Sequence, residues 1–241
     1  MKIKSKTMLG VSLFAMTFSF GVMADDTCKT VPTCAELGYT ATSCSGDSIK
    51  CPFNTSKLYC LPVVPHLCNS SETKIGDIYY SDDICSSEVV SGKTAIGVVY
   101  DTDRKLVLSL DQVTKYWNDG TTTYNDISTL TNYTSSSTAQ QDFDGKSNTD
   151  KIVAYATSSG QTHQAAQYCH DKTTGGKTWY LPALGEMMPM GTNYSTINTG
   201  LSKAGGTSLS SSCYWSSTEY NYYQTWVYTT RPNFIRRRYA P

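Results

Sequence analysis

The spacing of the cysteines constrains this chain more than any other feature. The sequence holds nine, and seven of them fall between Cys28 and Cys85. From Cys28 to Cys68 they recur every six to ten residues, with few aliphatic side chains between them. Such a stretch buries too little apolar surface to hold itself together and relies on cross-links. No Cys-x-x-Cys occurs, which removes the zinc-knuckle and thioredoxin-type readings. The count is odd, so one thiol stays free or pairs with another chain through an intermolecular disulfide. Cys169 and Cys213 stand apart from the cluster, both on elements that the pattern packs, and are expected to bond to each other.

Disulfides need an oxidising compartment, and the first residues supply the route. "MKIKSKT" carries three lysines and no acid, and "MLGVSLFAMTFSFGVMA" is apolar for about the length of a signal-peptide core. Residues 1–24 read as a cleaved secretory signal, with Asp25 as the mature start and no membrane span left after cleavage. Residues 25–73 form the cysteine-rich segment and its linker, and residues 74–241 a larger domain. The chain balances 20 basic and 20 acidic side chains, and loses Lys2, Lys4 and Lys6 with the signal. A slightly acidic mature chain has no electrostatic footprint for nucleic acid. Its 18 tyrosines make a surface that is uncharged but rich in hydrogen-bonding groups.

From Lys74 the pattern changes. "IGDIYYSDD", "TAIGVVYD" and "KLVLSL" are short strand-like runs, followed by a polar stretch to about Asp150 that reads mostly as loop. "QTHQAAQYCHD" spaces Ala165, Ala166 and Cys169 as a helix does and stops at the Gly175–Gly176 pair. "LPALGEMMPM" opens with Pro182 in a first helical turn and is ended or bent by Pro189. "STINTGLSKAGG" offers Ser195 as a cap, Ile197 and Leu201 as an apolar face, and two glycines as the stop. "CYWSSTEY", "QTWVYTT" and "NFIRRRYA" then alternate as strands of a meander, with "NYY" as a turn. Strands, two or three short helices and strands again define an α+β domain.

The chemistry-bearing residues do not assemble into a catalytic set. Ser216 and Ser217 lie mid-strand without the strained Gly-x-Ser-x-Gly turn of a hydrolase. Cys169 and His170 are adjacent on a helix and point about 100° apart. His163 and His170 have no acid at ligand spacing, and read as surface residues. "YWND" reads as a turn through Asn118, Asp119 and Gly120. "DFDGKSNTD" sets oxygen ligands at alternate positions as calcium loops do, but lacks the closing bidentate Glu. The expectation is therefore no cofactor and no metal, with calcium the single candidate. Arg236, Arg237 and Arg238 alternate sides and make no common basic face.

Taken together, "AAQYCHD", "GGKTWYLPALGEM" and "CYWSSTEYNYYQTWVY" resemble the C-terminal domain of collagen-like bacterial adhesins, the Lcl C-terminal family. The residues that carry the resemblance are Ala165, Tyr168, Cys169, Trp179, Leu181, Pro182, Glu186, Tyr214, Trp215, Ser216, Ser217, Thr218, Glu219 and Trp226. It spans about Lys74 to the end and implies a C-type-lectin-like fold, with short helices on a small twisted antiparallel sheet and long loops. It also implies that "CYWSSTEY" is a structural strand: Trp215 packs on the helices, and the Ser-Thr-Glu side chains satisfy neighbouring backbone. Trp179 and Leu181 then enter at the helix–sheet junction.

The function that follows is an exported, non-enzymatic recognition or adhesion module for an extracellular glycan or protein. The alternatives are a surface or matrix protein without a ligand, and an enzyme of the formylglycine-generating type. The last needs a close reactive cysteine pair near the C-terminus, where this chain has Cys213 alone. The expected ligand surface is the meander and its turn: Tyr220, Asn221, Tyr222, Tyr223, Gln224, Tyr228 and Asn233. Tyrosine and asparagine make low-entropy contacts with polar tips, and "EYNYYQ" is too polar a turn to bury.

Overall fold

A computed structural model of the chain describes residues 32–44, 48–118, 127–222, 224–230 and 234–239. The expected signal, Asp25 and Cys28 lie outside them, as do Asp119, Gly120, Tyr223 and Asn233. Strands β1 (Ser48–Cys51) and β2 (Asn54–Cys60) pair as an antiparallel hairpin. Disulfides Cys34–Cys51 and Cys44–Cys60 close it. Apart from Cys51, every side chain on the two strands is exposed or half-buried, so cross-links stand in for a core.

The segment read as a linker is more than that. Strand β3 (His66–Leu67) pairs with β5 (Ile84–Ser86), and Cys68–Cys85 fastens it there. Three disulfides in one stretch belong to a chain that folds in an oxidising compartment. With β4 (Ile78–Tyr80), β6 (Ala95–Asp101) and β7 (Leu106–Ser109) these strands form a sheet of order β3-β5-β4-β6-β7. Strand β6 is buried from Ile96 to Asp101, which is why "AIGVV" lacks polar alternation. A second sheet is the meander β8 (Cys213–Asn221), β9 (Gln224–Thr229) and β10 (Phe234–Tyr239).

Among the described residues five α-helices lie between the sheets in sequence, more than the two or three expected: α1 (Ser136–Ala139), α2 (Gly145–Ser159), α3 (Gln164–Asp171), α4 (Leu184–Thr192) and α5 (Tyr194–Lys203). The largest departure is α2, read as loop. Its buried face is Gly145, Asn148, Thr149 and Ile152, so hydrogen bonding rather than apolar periodicity marks the inner side. The calcium-loop-like "DFDGKSNTD" is the entry to this helix. Pro189 lies inside α4 without ending it, and Asn193, not Ser195, caps α5. At the other end of α5 the Gly206 amide donates to Leu201 O and the Gly205 amide to Ser202 O, with Gly205 at φ 72°. That is the reciprocal pair of bonds that closes a helix with a left-handed glycine.

Helix α4 touches both sheets, meeting β8 and β9 on one side and β6 on the other. The larger core gathers Val98 and Tyr100 from β6, Leu184, Met187 and Met190 from α4, Ile197 and Leu201 from α5, and Trp226 and Tyr228 from β9. A smaller cluster joins Trp117, Ile127, Ile152, Ala165, Ala166 and Leu181, with Trp215 packed against it. The architecture is α+β. Among the described residues no helix is long and apolar enough to cross a membrane.

Candidate functional site

The stretch "YWSSTE" on β8 is structural. Opposite β9, Trp215 pairs with Val227 and Glu219 with Thr225, so the pairing slips between them and β8 bulges. The simple alternation expected from the sequence fails there: Ser216, Ser217, Thr218 and Glu219 are all buried. Their polar groups are largely used within the fold. The Ser216 hydroxyl donates to Trp226 O at 2.8 Å. The Thr218 hydroxyl accepts the Leu184 amide and donates to Asp142, both at 2.8 Å. The Ser217 amide donates to Pro182 O. Trp215 rests beside Trp117, ring centres 5.8 Å apart.

Two helices, α2 and α4, meet at this strand. From α2, the Thr149 hydroxyl accepts the Leu181 amide at 3.0 Å, and Asn148 donates to Asp142. From α4, Glu186 accepts the Ala183 amide at 2.8 Å and the Tyr180 hydroxyl at 3.1 Å. Burial pushes the Glu186 carboxyl up to about 7. Its two donors oppose the rise, and the charges of Asp142 and Asp144 add to it. Glu186 and the Leu181–Pro182 backbone thus spend their polar groups within the fold. Trp179 is half-buried, and its indole N–H donates to Thr174 O at 3.0 Å.

The expected ligand surface comes together only in part. Tyr228 is fully buried and belongs to the core, its hydroxyl reaching Met188 O. In the register of β9 with β8 and β10, Tyr228 is paired on both sides, and it shares the core cluster with Leu184, Met187 and Met190 of α4. Tyr220 lies half-buried edge-on to Trp226, with Arg237 over its ring. Tyr222 is exposed, and Asn221 and Gln224 are half-exposed beside it.

Cys169 and Cys213 are not bonded to each other. Each has its own packing: Cys169 lies against the smaller aromatic cluster, and Cys213 Sγ meets the Thr229 hydroxyl at 3.5 Å. Elimination paired them on paper, but both remain free thiols, although both line one shallow cleft. Burial pushes the Cys169 thiol up to about 11. His163, read as a surface residue, is buried between Trp117 and Tyr155, while His170 is exposed. Among the described residues no group of three His, Cys, Asp or Glu could hold a metal ion.

Sequence reasoning missed a cleft along β7. It has a volume of about 380 Å³, with Leu106, Leu108, Pro182 and Met190 as apolar lining and Tyr79, Tyr168 and Trp179 as aromatic lining. Lys172 and Lys177 also line it. On one side Asp111 accepts from Lys172 and Tyr168, each at 2.6 Å. Burial would raise this carboxyl, but hydrogen bonds from Lys172, Ser109 and Tyr168 hold it well below the usual carboxylate range. The hydrogen bond to Asp111, helped by burial, pushes the Tyr168 phenol up to about 12. On the other side Asp83 accepts from Lys177 at 2.7 Å and from the Tyr79 hydroxyl. Asp111 lies 57 residues from Tyr168, and Asp83 lies 94 residues from Lys177, so no local motif announces either set.

No family model matches the chain, and no curated protein matches it. Among solved structures, the fold is similar to that of a fimbrial protein from Bacteroides ovatus ATCC 8483, with a TM-score of 0.53 and 20% identity. The match covers 68% of this chain and 45% of that one, so the chain matches less than half of the fimbrial protein's length.

Proposed function

We propose that this chain is an exported surface module of the adhesion or recognition kind, without enzymatic activity, that binds an extracellular glycan or protein. The observation that carries the reading is the fold it shares with a fimbrial protein over two thirds of its length. The disulfide-closed N-terminal segment supports it, since a chain working outside the cell needs covalent closure where it lacks a core. The C-terminal unit is read as a C-type-lectin-like domain of the Lcl C-terminal type, on the motif residues of β8 and α4. Those residues act as framework: Thr218 and Glu186 spend their polar atoms on backbone amides, which argues for a scaffold and against a reaction centre. No bound cofactor and no nucleic-acid partner belong to this reading. On the meander, the contact surface is Tyr220, Asn221, Tyr222 and Gln224.

The test uses a strain that produces the protein, with and without its gene, and measures cell adhesion to immobilised glycans and extracellular-matrix proteins. Protease shaving of intact cells reports whether the chain is at the surface. The expected result is surface exposure and a loss of adhesion that the reintroduced gene restores. A chain confined inside the cell, or adhesion unchanged in the deletion strain, sinks the reading.

A further inference from the structure

We propose that the cleft along β7 is a binding site for a neutral saccharide, with a pyranose ring stacked on Trp179. The inference rests on the adhesion reading and names a site and a ligand class for it.

The first argument is shape. At about 380 Å³ the cleft lies at the small end of the range of ligand sites, about 300–1,000 Å³. It suits a short saccharide. A larger hollow of about 500 Å³, lined by residues 67–71 and Val107, has Tyr79 as its one aromatic side chain and no second ring to face it.

The second argument is the lining. The face of an aromatic ring is electron-rich, and the C–H bonds on one face of a pyranose are its electron-poor complement. Trp179 meets this need because its ring is fixed in place. Its N–H is spent on Thr174 O, and the Lys172 ammonium sits 5.8 Å from its centre. Leu106, Leu108 and Pro182 supply the dry surface for the rest of the sugar's apolar face.

The third argument is the polar rim. Each phenol donates its proton to a carboxylate, Tyr168 to Asp111 and Tyr79 to Asp83; the Tyr168 oxygen is left to accept from a ligand hydroxyl, while the Tyr79 oxygen also meets Lys177. Each ammonium spends a hydrogen on the same carboxylate and keeps others for a ligand oxygen. Donors and acceptors thus alternate on both sides of the cleft, fixed before any ligand arrives, which lowers the ordering cost of binding.

The fourth argument is charge. Lys172 is balanced by Asp111 and Lys177 by Asp83, leaving Lys105 as the further lysine of the lining. A rim made mainly of neutral ion pairs selects hydroxyls over carboxylates or sulfates. An acidic sugar would have to compete with Asp111 and Asp83 for the same ammonium groups.

The test uses the whole mature chain, titrated with maltotriose, cellotriose, chitotriose and mannotriose, and with trigalacturonate as the anionic arm. Tryptophan fluorescence and calorimetry read binding. At least one neutral trisaccharide is expected to bind saturably, and trigalacturonate no more tightly. Trp179→Ala should weaken that binding at least about tenfold, and Trp179→Phe, which keeps a ring, by no more than about threefold. Lys172→Met should also weaken it, and stands in for Trp179→Ala if that variant melts early. Binding by none of the neutral trisaccharides overturns the proposal. So does affinity indifferent to both Trp179→Ala and Lys172→Met, or binding of trigalacturonate alone. If Tyr222→Ala abolishes saccharide binding while the cleft variants keep it, the adhesion reading stands and the cleft assignment falls. If the deletion strain adheres normally, the adhesion reading itself falls.

Discussion

Two neighbouring side chains on β8 have opposite energetic roles, although the sequence "Ser-Thr" suggests they are alike. The Thr218 hydroxyl is bonded twice, to the first amide of α4 and to Asp142. The Ser217 hydroxyl is fully buried and has no hydrogen-bond partner among the described residues. Removing a satisfied buried group strands its partners, at a cost of about 1–3 kcal/mol, whereas removing an unsatisfied one relieves a desolvation penalty. Thr218→Val should therefore lower stability in urea by about 1–3 kcal/mol, and Ser217→Ala should leave it unchanged or raise it by up to about 1 kcal/mol. Equal losses in the two variants would contradict this division. Glu186 adds a dependence on pH. Its folded value, about 7, lies above its ordinary value of 4.5, because burial favours the protonated acid. The fold is thus favoured by this group below about pH 4.5, loses that contribution as pH rises toward 7, and gains nothing further above it. Glu186→Gln removes the titration. The difference in melting temperature between variant and wild type should grow in the variant's favour from pH 5 to pH 7.5 and then level off. A constant difference across that range would mean that Glu186 titrates normally.

At the scale of the element, helices with an apolar stripe were legible and those held by polar contacts were not. Ala165 and Ala166 on α3, and Ile197 and Leu201 on α5, are buried as their spacing predicts. The three strands of the meander are also legible as strands, and β9 and β10 keep an unbroken register, although burial does not alternate along β8 or β9. Helix α2 was invisible because its inner face is marked by polar Asn148 and Thr149: Thr149 bonds Leu181, 32 residues away, and Asn148 bonds Asp142, just before the helix. The bulge in β8 was equally hidden, since two extra residues in one strand are fixed by the partner strand. Of the candidate site, Trp179 and Tyr168 were singled out as motif residues, but Asp111 and Asp83, which hold the rim, were not. Close approach of backbones is a further property that no periodicity reports. Gly200 on α5 lies against Gly76: a β-carbon there would fall on the Gly76 carbonyl oxygen and within 2.8 Å of Val98. Gly200→Ala improves helix propensity by about 1 kcal/mol, yet it must push α5 off β6. The expected net effect is a loss of about 1–3 kcal/mol, read from urea unfolding. A stabilised variant would show that α5 has room to shift.

For the whole molecule, the distribution of cross-links and burial implies two regions of different dependence. The β1–β2 hairpin has almost no buried apolar surface beyond Cys51, and two disulfides close it. The domain that follows has a continuous core from β6 through α4 and α5 to β9. Its one disulfide, Cys68–Cys85, spans 17 residues and fixes β3 on the edge of the larger sheet. Replacing Cys34, Cys44, Cys51 and Cys60 with serine should abolish structure in the hairpin, seen as loss of amide protection, while the main melting transition stays within about 2 °C. Replacing Cys68 and Cys85 acts on the cored domain: a loop of that length is worth about 3 kcal/mol, and the main transition should drop by several degrees. Cys169 and Cys213 serve as the internal control. In denaturant without reductant both should take up an alkylating label, while the six bonded cysteines should not. A peptide joining Cys169 to Cys213 would restore the pairing that elimination suggested and would overturn the assignment of both as free thiols. A main transition that falls with the hairpin disulfides would mean that the hairpin is part of the core's cooperative unit and not a separate module.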